Sequence, residues 1–519
     1  MRIFFSQQLR ISRNILDSAM KMLFIRNLTY LKRLISTGVK RMKSIISTWV
    51  IAAGVAGAAI SVGHPAKAAD IYGPFPVTYK DWVGPEKNSV AYTGQMARHV
   101  LHDSLKALAG KGNGKPNPEL KKKMLSYYAE KDAGRKILAP KSNKGFKIKQ
   151  TGVDQISKKK NLAGKTYKGL VPGWPGNKTG KEVVLHMIDK ASSAKKGFDP
   201  STGYDYKQLI SKFIMGAVSY NQAVDNYLDE KLGPNKKPND KQYKKGKPYT
   251  GKEHSWDEAF GYWGAAAHGL TLTAKQNYEI AKRGKKSKSP EAALKYADYN
   301  GDGVVDLYRE FNFGHAYYAA AYDKKGRTSY YNNITRGFIY GRTVIAKAKG
   351  KKLTDVERGK LRSIARSIEA NWEKVIAESI FKYAGSVYKD LDKMNTIIEA
   401  KGNTDKVFRK YAKHWGELKG FSMALQTGRK NQGEIAVKLN RMIGFGPVLP
   451  NGSQVVDVER NGDFVKDQGQ SMGEYMLHML KIQRLMVKEF DVKARVNDKL
   501  ASLEGLIKKV GKGDSAEND

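Results

Sequence analysis

The chain contains no cysteine. That absence excludes a disulfide framework, a thiolate metal site, a cysteine nucleophile and a lipobox. Acidic side chains are scarce beside basic ones, with 50 Asp and Glu against 93 Lys and Arg in 519 residues and a formal net charge of +43. Catalytic signatures are missing too. Without His-Glu-x-x-His there is no two-histidine zinc clamp with its general base. Neither a Gly-x-Ser-x-Gly elbow nor a glycine-rich phosphate loop ending in Lys-Ser/Thr occurs. No RNA- or DNA-binding motif accompanies the charge, so no specific nucleic-acid partner is expected. Strand-type alternation is absent as a sustained pattern, which points to an all-α fold. Sequence separation says nothing about paired glycosidase carboxylates. The reading is a binding protein, not an enzyme.

The start of the chain reads as export. Met42-Lys43 precedes an apolar run from Ile45 to Val62, then His-Pro-Ala-Lys-Ala-Ala-Asp with small residues at Ala66 and Ala68. That is the charged, apolar and A-x-A order of a signal peptide over 42–69, with an uncleaved anchor as the alternative. Residues 1–41 carry nine basic residues and one acid, Asp17, and read as an upstream extension. Without residues 1–69 the chain still holds 82 basic and 49 acidic residues, and no further membrane span is expected. A periplasmic or secreted location follows. So does affinity for polyanions such as acidic polysaccharide.

Helical spacing organises the remainder. Asn117 and Pro118 suit an N-cap and first turn. Lys136–Lys178 reads as a long Lys/Gly/Pro loop, and helices are expected over Lys181–Ser193 and Tyr206–Leu232. Ser289-Pro290 opens another. Thr354-Asp-Val-Glu357 and Ser471-Met-Gly-Glu474 are capping boxes, opening helices through about Ala384 and towards Lys508. Further helical patterns cover Val387–Ala400, Asp405–Leu425 and Glu434–Ile443, and the tail from 511 reads as disordered.

One stretch concentrates chemistry. Lys252–Gly264 holds one imidazole, three carboxylates and four aromatic rings. On a helix His254 shares a face with Asp257 and Glu258. Lys413–Phe421 echoes it, with His414 three residues before Glu417. Tyr-x-x-(Ala/Ser)-Val precedes each, at Tyr220–Val224 and Tyr383–Val387, which suggests a faint internal duplication. His254, Asp257, Glu258, His414 and Glu417 are therefore candidate ligands for iron or zinc, with His99, His315 and Glu310 as further donors. The competing reading is a buried His–carboxylate pair holding helices in register.

A second motif points to calcium. Asp298, Asn300 and Asp302 alternate, Gly303 falls sixth, Val304 offers a carbonyl at position seven and Asp306 stands ninth. Arg309 occupies position twelve, where an EF-hand has its bidentate acid. Glu310, one beyond, either supplies the last ligand or turns away on a helix starting near Leu307. Asx-rich loops also turn without metal.

The segments ending at Arg98, Gly261 and Gly314 (Val-Ala-Tyr-Thr-Gly-Gln-Met-Ala-Arg, Lys-Glu-His-Ser-Trp-Asp-Glu-Ala-Phe-Gly and Asn-Gly-Asp-Gly…Glu-Phe-Asn-Phe-Gly) resemble a family of exported bacterial proteins, domain of unknown function 4856. The likeness extends over about Tyr72 to Gly505. That family is distantly similar to the imelysins, envelope proteins tied to iron acquisition. The resemblance implies an imelysin-like pair of duplicated helical bundles: a first half over 70–270 with long basic loops, and a second over 271–510 containing the 298–306 loop. His414-Trp-Gly-Glu417 keeps the imelysin His-x-x-Glu spacing, with Tyr-Ala-Lys in front of it in place of Gly-x. Two functions stand at this point. One is an exported metal-binding protein with calcium at 298–306 and iron or zinc near His254. The other is a polyanion-binding envelope protein with structural calcium only.

Overall fold

Caps written in the sequence start most helices of the computed structural model, which describes residues 70–503. The expected extension (1–41), signal peptide (42–69) and tail (511–519) lie outside the described residues. In chain order the helices are α1 (Thr93–Ala109), α2 (Pro118–Tyr128), α3 (Gly180–Ser193), α4 (Tyr206–Ile214), α5 (Gly251–Trp263), α6 (Ala274–Lys282) and α7 (Pro290–Ala297). They continue as α8 (Gly314–Asp323), α9 (Tyr330–Lys347), α10 (Asp355–Glu399), α11 (Asp405–Leu425), α12 (Gly433–Ile443) and α13 (Met472–Phe490). Thr179, Thr250, Thr273, Thr354 and Ser471 each close a reciprocal capping box at the head of a helix.

The long α10 is the axis of the fold, with α8, α9, α11 and α13 packed against it. At 45 residues it spans roughly 68 Å at 1.5 Å per residue. Its first turns bury one stripe, through Leu361, Ala365 and Ile368; from Trp372 to Val387 it is buried almost all round. Two helices were expected here, and they form one. Gly385 does not break it, because the missing side chain admits the Asn497 carbonyl, which a Cβ would meet at 1.9 Å.

Three further expectations change. The helix expected over Tyr206–Leu232 is α-helical only to Ile214, then π-helical over Met215–Tyr220 and Gln222–Tyr227. There Gly216 lies against α11, where a Cβ would come within 2.4 Å of the Ala424 Cα. The helix opened by Ser471 stops at Phe490, with Asp491 left-handed at φ 51°, and helix resumes only at residue 500. The following segment is tied to α10 by Glu378, whose carboxylate accepts from Lys493, Ala494 and Arg495 N–H at 2.6, 2.6 and 3.1 Å. No helix starts at Leu307; the next begins at Gly314.

Two antiparallel hairpins escaped the sequence reading, β1 (Phe198–Asp199) with β2 (Tyr204–Asp205), and β3 (Ser453–Val458) with β4 (Phe464–Gln468). The first is too short to show a period. In the second, a register shift between Val455 and Asp457 breaks the alternation.

The fold is all-α apart from these hairpins, and the halves expected on either side of residue 270 share one core. Trp263 of α5 meets Trp372 of α10 edge-on at 4.9 Å, and its indole N–H donates to Thr335 of α9 at 3.0 Å. Tyr220 lies in the π-helical segment and Tyr383 in mid-α10, so the two similar sequence segments occupy unlike elements. No helix among the described residues is long and apolar enough to cross a membrane.

Candidate anion-binding site

Small residues on α11 set up the site. Gly416, Gly420 and Ala424 recur every four residues and so form one ridge. Here α4 comes so close that a Cβ on Gly420 would lie 2.5 Å from the Cβ of Lys212. This approach buries the Lys212 ammonium and sets it 3.6 Å from Glu417. Beside the pair opens a cleft of about 750 Å³ between α1, α4, α6, α8, α10 and α11.

The charge on its walls is lopsided. Lys106, Lys207, Lys212, Lys282, Arg283, Lys286, Lys382 and Lys413 line it, against Asp103 and Glu417 alone. Tyr278, Tyr317, Tyr318 and Tyr383 supply the rings. Several ammoniums lie over these faces: Lys282 is 4.3 Å from the Tyr317 centroid, Lys382 4.8 Å from Tyr383 and Lys212 5.4 Å from Tyr318. The Tyr383 hydroxyl donates to Glu417 at 3.1 Å.

Crowding shows in the protonation equilibria. Burial, reinforced by Lys212, pushes Lys106 down to about 7. Burial and then Lys106 and Lys212 bring Lys282 to about 8. Lys207 and Lys382 are lowered for the same first reason. Burial alone would raise Glu417, but Lys212, Lys413 and His414 outweigh it and hold this carboxyl below its ordinary value. The cleft thus carries more positive charge than its own acids neutralise. An anion would relieve it, while the tyrosine faces are already covered by lysines and neighbouring rings.

The sequence-derived candidates lie elsewhere, except Glu417. His254 is sandwiched by Tyr249 (4.5 Å, stacked) and Tyr243 (4.2 Å). Its Nε2 stands 3.8 Å from Glu258, too far for a hydrogen bond. Glu258 instead accepts from the Gln95 amide at 2.8 Å. Asp257 faces away, accepting from the Tyr72 hydroxyl (2.7 Å), Ala91 N–H (3.1 Å) and Arg342 Nε (3.0 Å). His414 pairs with Asp390 at 2.5 Å. His99 bonds the Gly261 carbonyl at 3.1 Å, with burial pushing it to about 4. His315 is buried among Tyr220, Trp372 and Phe421. The structure does not assemble these residues into a site for iron or zinc. Among the described residues no three His, Cys, Asp or Glu side chains gather to hold a metal ion.

The 298–306 loop closes on itself. Asp298 accepts from Gly301, Asp302 and Gly303 N–H at 2.8, 3.1 and 2.8 Å. Asn300 accepts from Asp302 N–H, and Asp302 from Val304 N–H. Asp306 accepts from Gln150 at 2.7 Å. Glu310 is turned back into the loop, accepting from Tyr299, Asn300 and Asp306 N–H. A lysine, Lys149, sits on Asp302 at 3.0 Å. These donors occupy both carboxylate oxygens of Asp298, Asp302 and Glu310.

The cleft lysines were missed because they come from five helices and the segment after α6, spread between positions 106 and 413. The legible trace was local: Tyr278 with Lys282, and Lys413 with Glu417, at helical spacing of four. No curated protein and no solved structure matches the chain, and the likeness to the imelysins is not shown. Of the three segments that carried the family resemblance, the one ending at Gly261 falls inside the matched region and the other two outside it. Residues 177–289, which include Lys207, Lys212, Tyr278, Lys282 and His254, match the family described as Domain of unknown function (DUF4856).

Proposed function

We propose that this chain is an exported binding protein, not an enzyme, that takes acidic saccharide into the cleft between α1, α4, α6, α8, α10 and α11. The observation that carries this reading is the excess of eight basic over two acidic side chains around one concave site, interleaved with four tyrosines. Carboxylates or sulfates of the ligand would pair with the ammoniums. The cleft is large enough for a short stretch of chain, and the net positive charge outside it would steer a polyanion inward. Calorimetric titration with an oligogalacturonate, beside a neutral oligosaccharide of equal length, tests it. Affinity for the acidic ligand should fall steeply between low and high salt. Equal binding of the neutral sugar, or binding untouched by salt, would sink the reading.

Calcium at Asp298, Asn300, Asp302, Val304, Asp306 and Glu310 is the second reading, in a structural role. The observation favouring it is Asp298, whose carboxylate gathers three consecutive N–H groups and so stands at the centre of the turn. Calcium would have to displace Lys149 from Asp302. Thermal unfolding with calcium or chelator should therefore show a calcium shift that is lost in Asp298→Ala, and no shift in the native chain would remove calcium from the account. Iron or zinc at His254 is not part of this proposal, because Asp257 and Glu258 are committed to other partners.

A further inference from the structure

Nearly all lysines are poor nucleophiles at neutral pH because the free amine is about one part in a thousand or less. Lys106 differs in its surroundings. It projects from α1 into the cleft beside the Lys212 ammonium, which α4 and α11 hold buried at 2% exposure. Around it stand His102 and Asp103 on its own helix, Lys207 on α4, Lys282 on α6 and Glu417 on α11. The two acids do not neutralise the cations, so the cheapest response of the cluster is for one lysine to shed its proton. Lys106 is the one placed to do so, since Lys212 is locked to Glu417 at 3.6 Å. Like charge beside an amine in a half-dry pocket is a general way to make a nucleophilic lysine.

We propose that Lys106 captures its ligand covalently, forming an imine with an anionic aldehyde or 2-oxo acid seated in the cleft. The proposal rests on the anion-binding reading above, because the lysines that bind the anion are those that bring the carbonyl to the amine. The free amine adds to the carbonyl carbon, forming a C–N bond while the carbonyl oxygen takes a proton. The carbinolamine then loses water, assisted by an acid such as the Lys212 ammonium, and leaves a C=N bond. No oxidant or reductant is required, and the step reverses on hydrolysis. The reducing end of an acidic sugar, in its open form, belongs to this chemical class. Burial shifts Lys106 to about 7, which leaves roughly half of it as free amine at neutral pH.

Glyoxylate with cyanoborohydride is the direct probe, because reduction of the imine fixes the adduct as a secondary amine for peptide mass mapping. In the native chain at pH 7, Lys106 should be labelled at least about tenfold faster than exposed lysines, given its larger neutral fraction. Lys106→Arg should remove that fast label, and Lys212→Met should slow it by letting Lys106 recover its proton. Lys419 serves as an internal check. Burial brings it to about 7 as well, but it is enclosed against the Gly444 carbonyl outside the cleft, and it should label only after unfolding. Oligogalacturonate should protect Lys106. Label spread evenly over surface lysines, with oligogalacturonate still bound, would overturn the covalent step alone. Fast label on Lys106 with no oligogalacturonate binding would instead uphold the reactive amine and remove the saccharide reading.

Discussion

Asp257 and Glu258 are adjacent on α5, yet one turns inward to Arg342 and the other takes a glutamine amide at the margin. The 100° step between helix neighbours is responsible. Arg342 is fully buried and bonds three partners: Asp257 at 3.0 Å, Glu253 at 3.1 Å and Ser89 at 2.5 Å. Glu253 also closes the capping box of α5 by accepting the Thr250 N–H at 2.8 Å. The richest stretch of the sequence is thus a structural knot joining α5, α9 and the segment around Ser89. Its composition was legible as important, but composition alone could not separate a metal clamp from an ion-pair network, because both need acids at helical spacing. Arg342→Met should leave two buried carboxylates without their cation and cost about 3–5 kcal/mol, readable by denaturant unfolding. A loss under 1 kcal/mol would show that water reaches the pair. His254→Ala, by contrast, removes a ring packed against Tyr243 and Tyr249 with Glu258 3.8 Å away, and should cost about 1–2 kcal/mol with no change in metal content.

Among the elements, the capping boxes were the most dependable sequence signals, since Thr354 and Ser471 start helices where expected. Helix ends were harder to read. The end of α13 depends on Glu378 of α10 capturing the next three amides, a contact 115 residues distant for Lys493 that no local pattern encodes. The π-helical stretch after Ile214 has the same kind of cause, a tertiary approach at Gly216. Glycines on α10 and α11 separate local from tertiary roles. Gly420→Ala would drive a methyl into the Lys212 side chain, so it should cost about 1–3 kcal/mol and weaken binding of the acidic ligand as Lys212 shifts. Gly359 sits in the exposed first turns of α10 with nothing near its missing Cβ. There Gly→Ala should stabilise by about 0.5–1 kcal/mol and leave binding alone. If both substitutions behaved alike, the close approach of α4 to α11 would not be what holds the cleft in shape.

At the scale of the whole molecule, the excess charge legible in the composition and the cleft found in the structure make one argument about pH. Composition carried the sign of the field but not its focus, because five helices must pack before the lysines converge. In the folded chain Lys106 loses its proton near 7 and Lys282 near 8, whereas both stay protonated to about 10.4 when unfolded. Between these values the unfolded chain binds more protons than the folded one. Stability of the ligand-free protein should therefore rise as pH increases from 7 towards 10, opposite to a domain whose lysines are stabilised by carboxylate partners. Anion binding opposes this trend at Lys282, because a carboxylate seated against it restores its proton while Lys106 remains the amine that reacts. Binding at pH 8 should take up protons from the buffer, which calorimetry in two buffers of different ionisation enthalpy would read directly, and affinity should fall as pH rises from 7 to 9. Stability that declined across this range, with no proton uptake on binding, would mean that the lysines are solvated and fully charged. The cleft would then bind anions by surface charge alone, with no free amine at Lys106 to react.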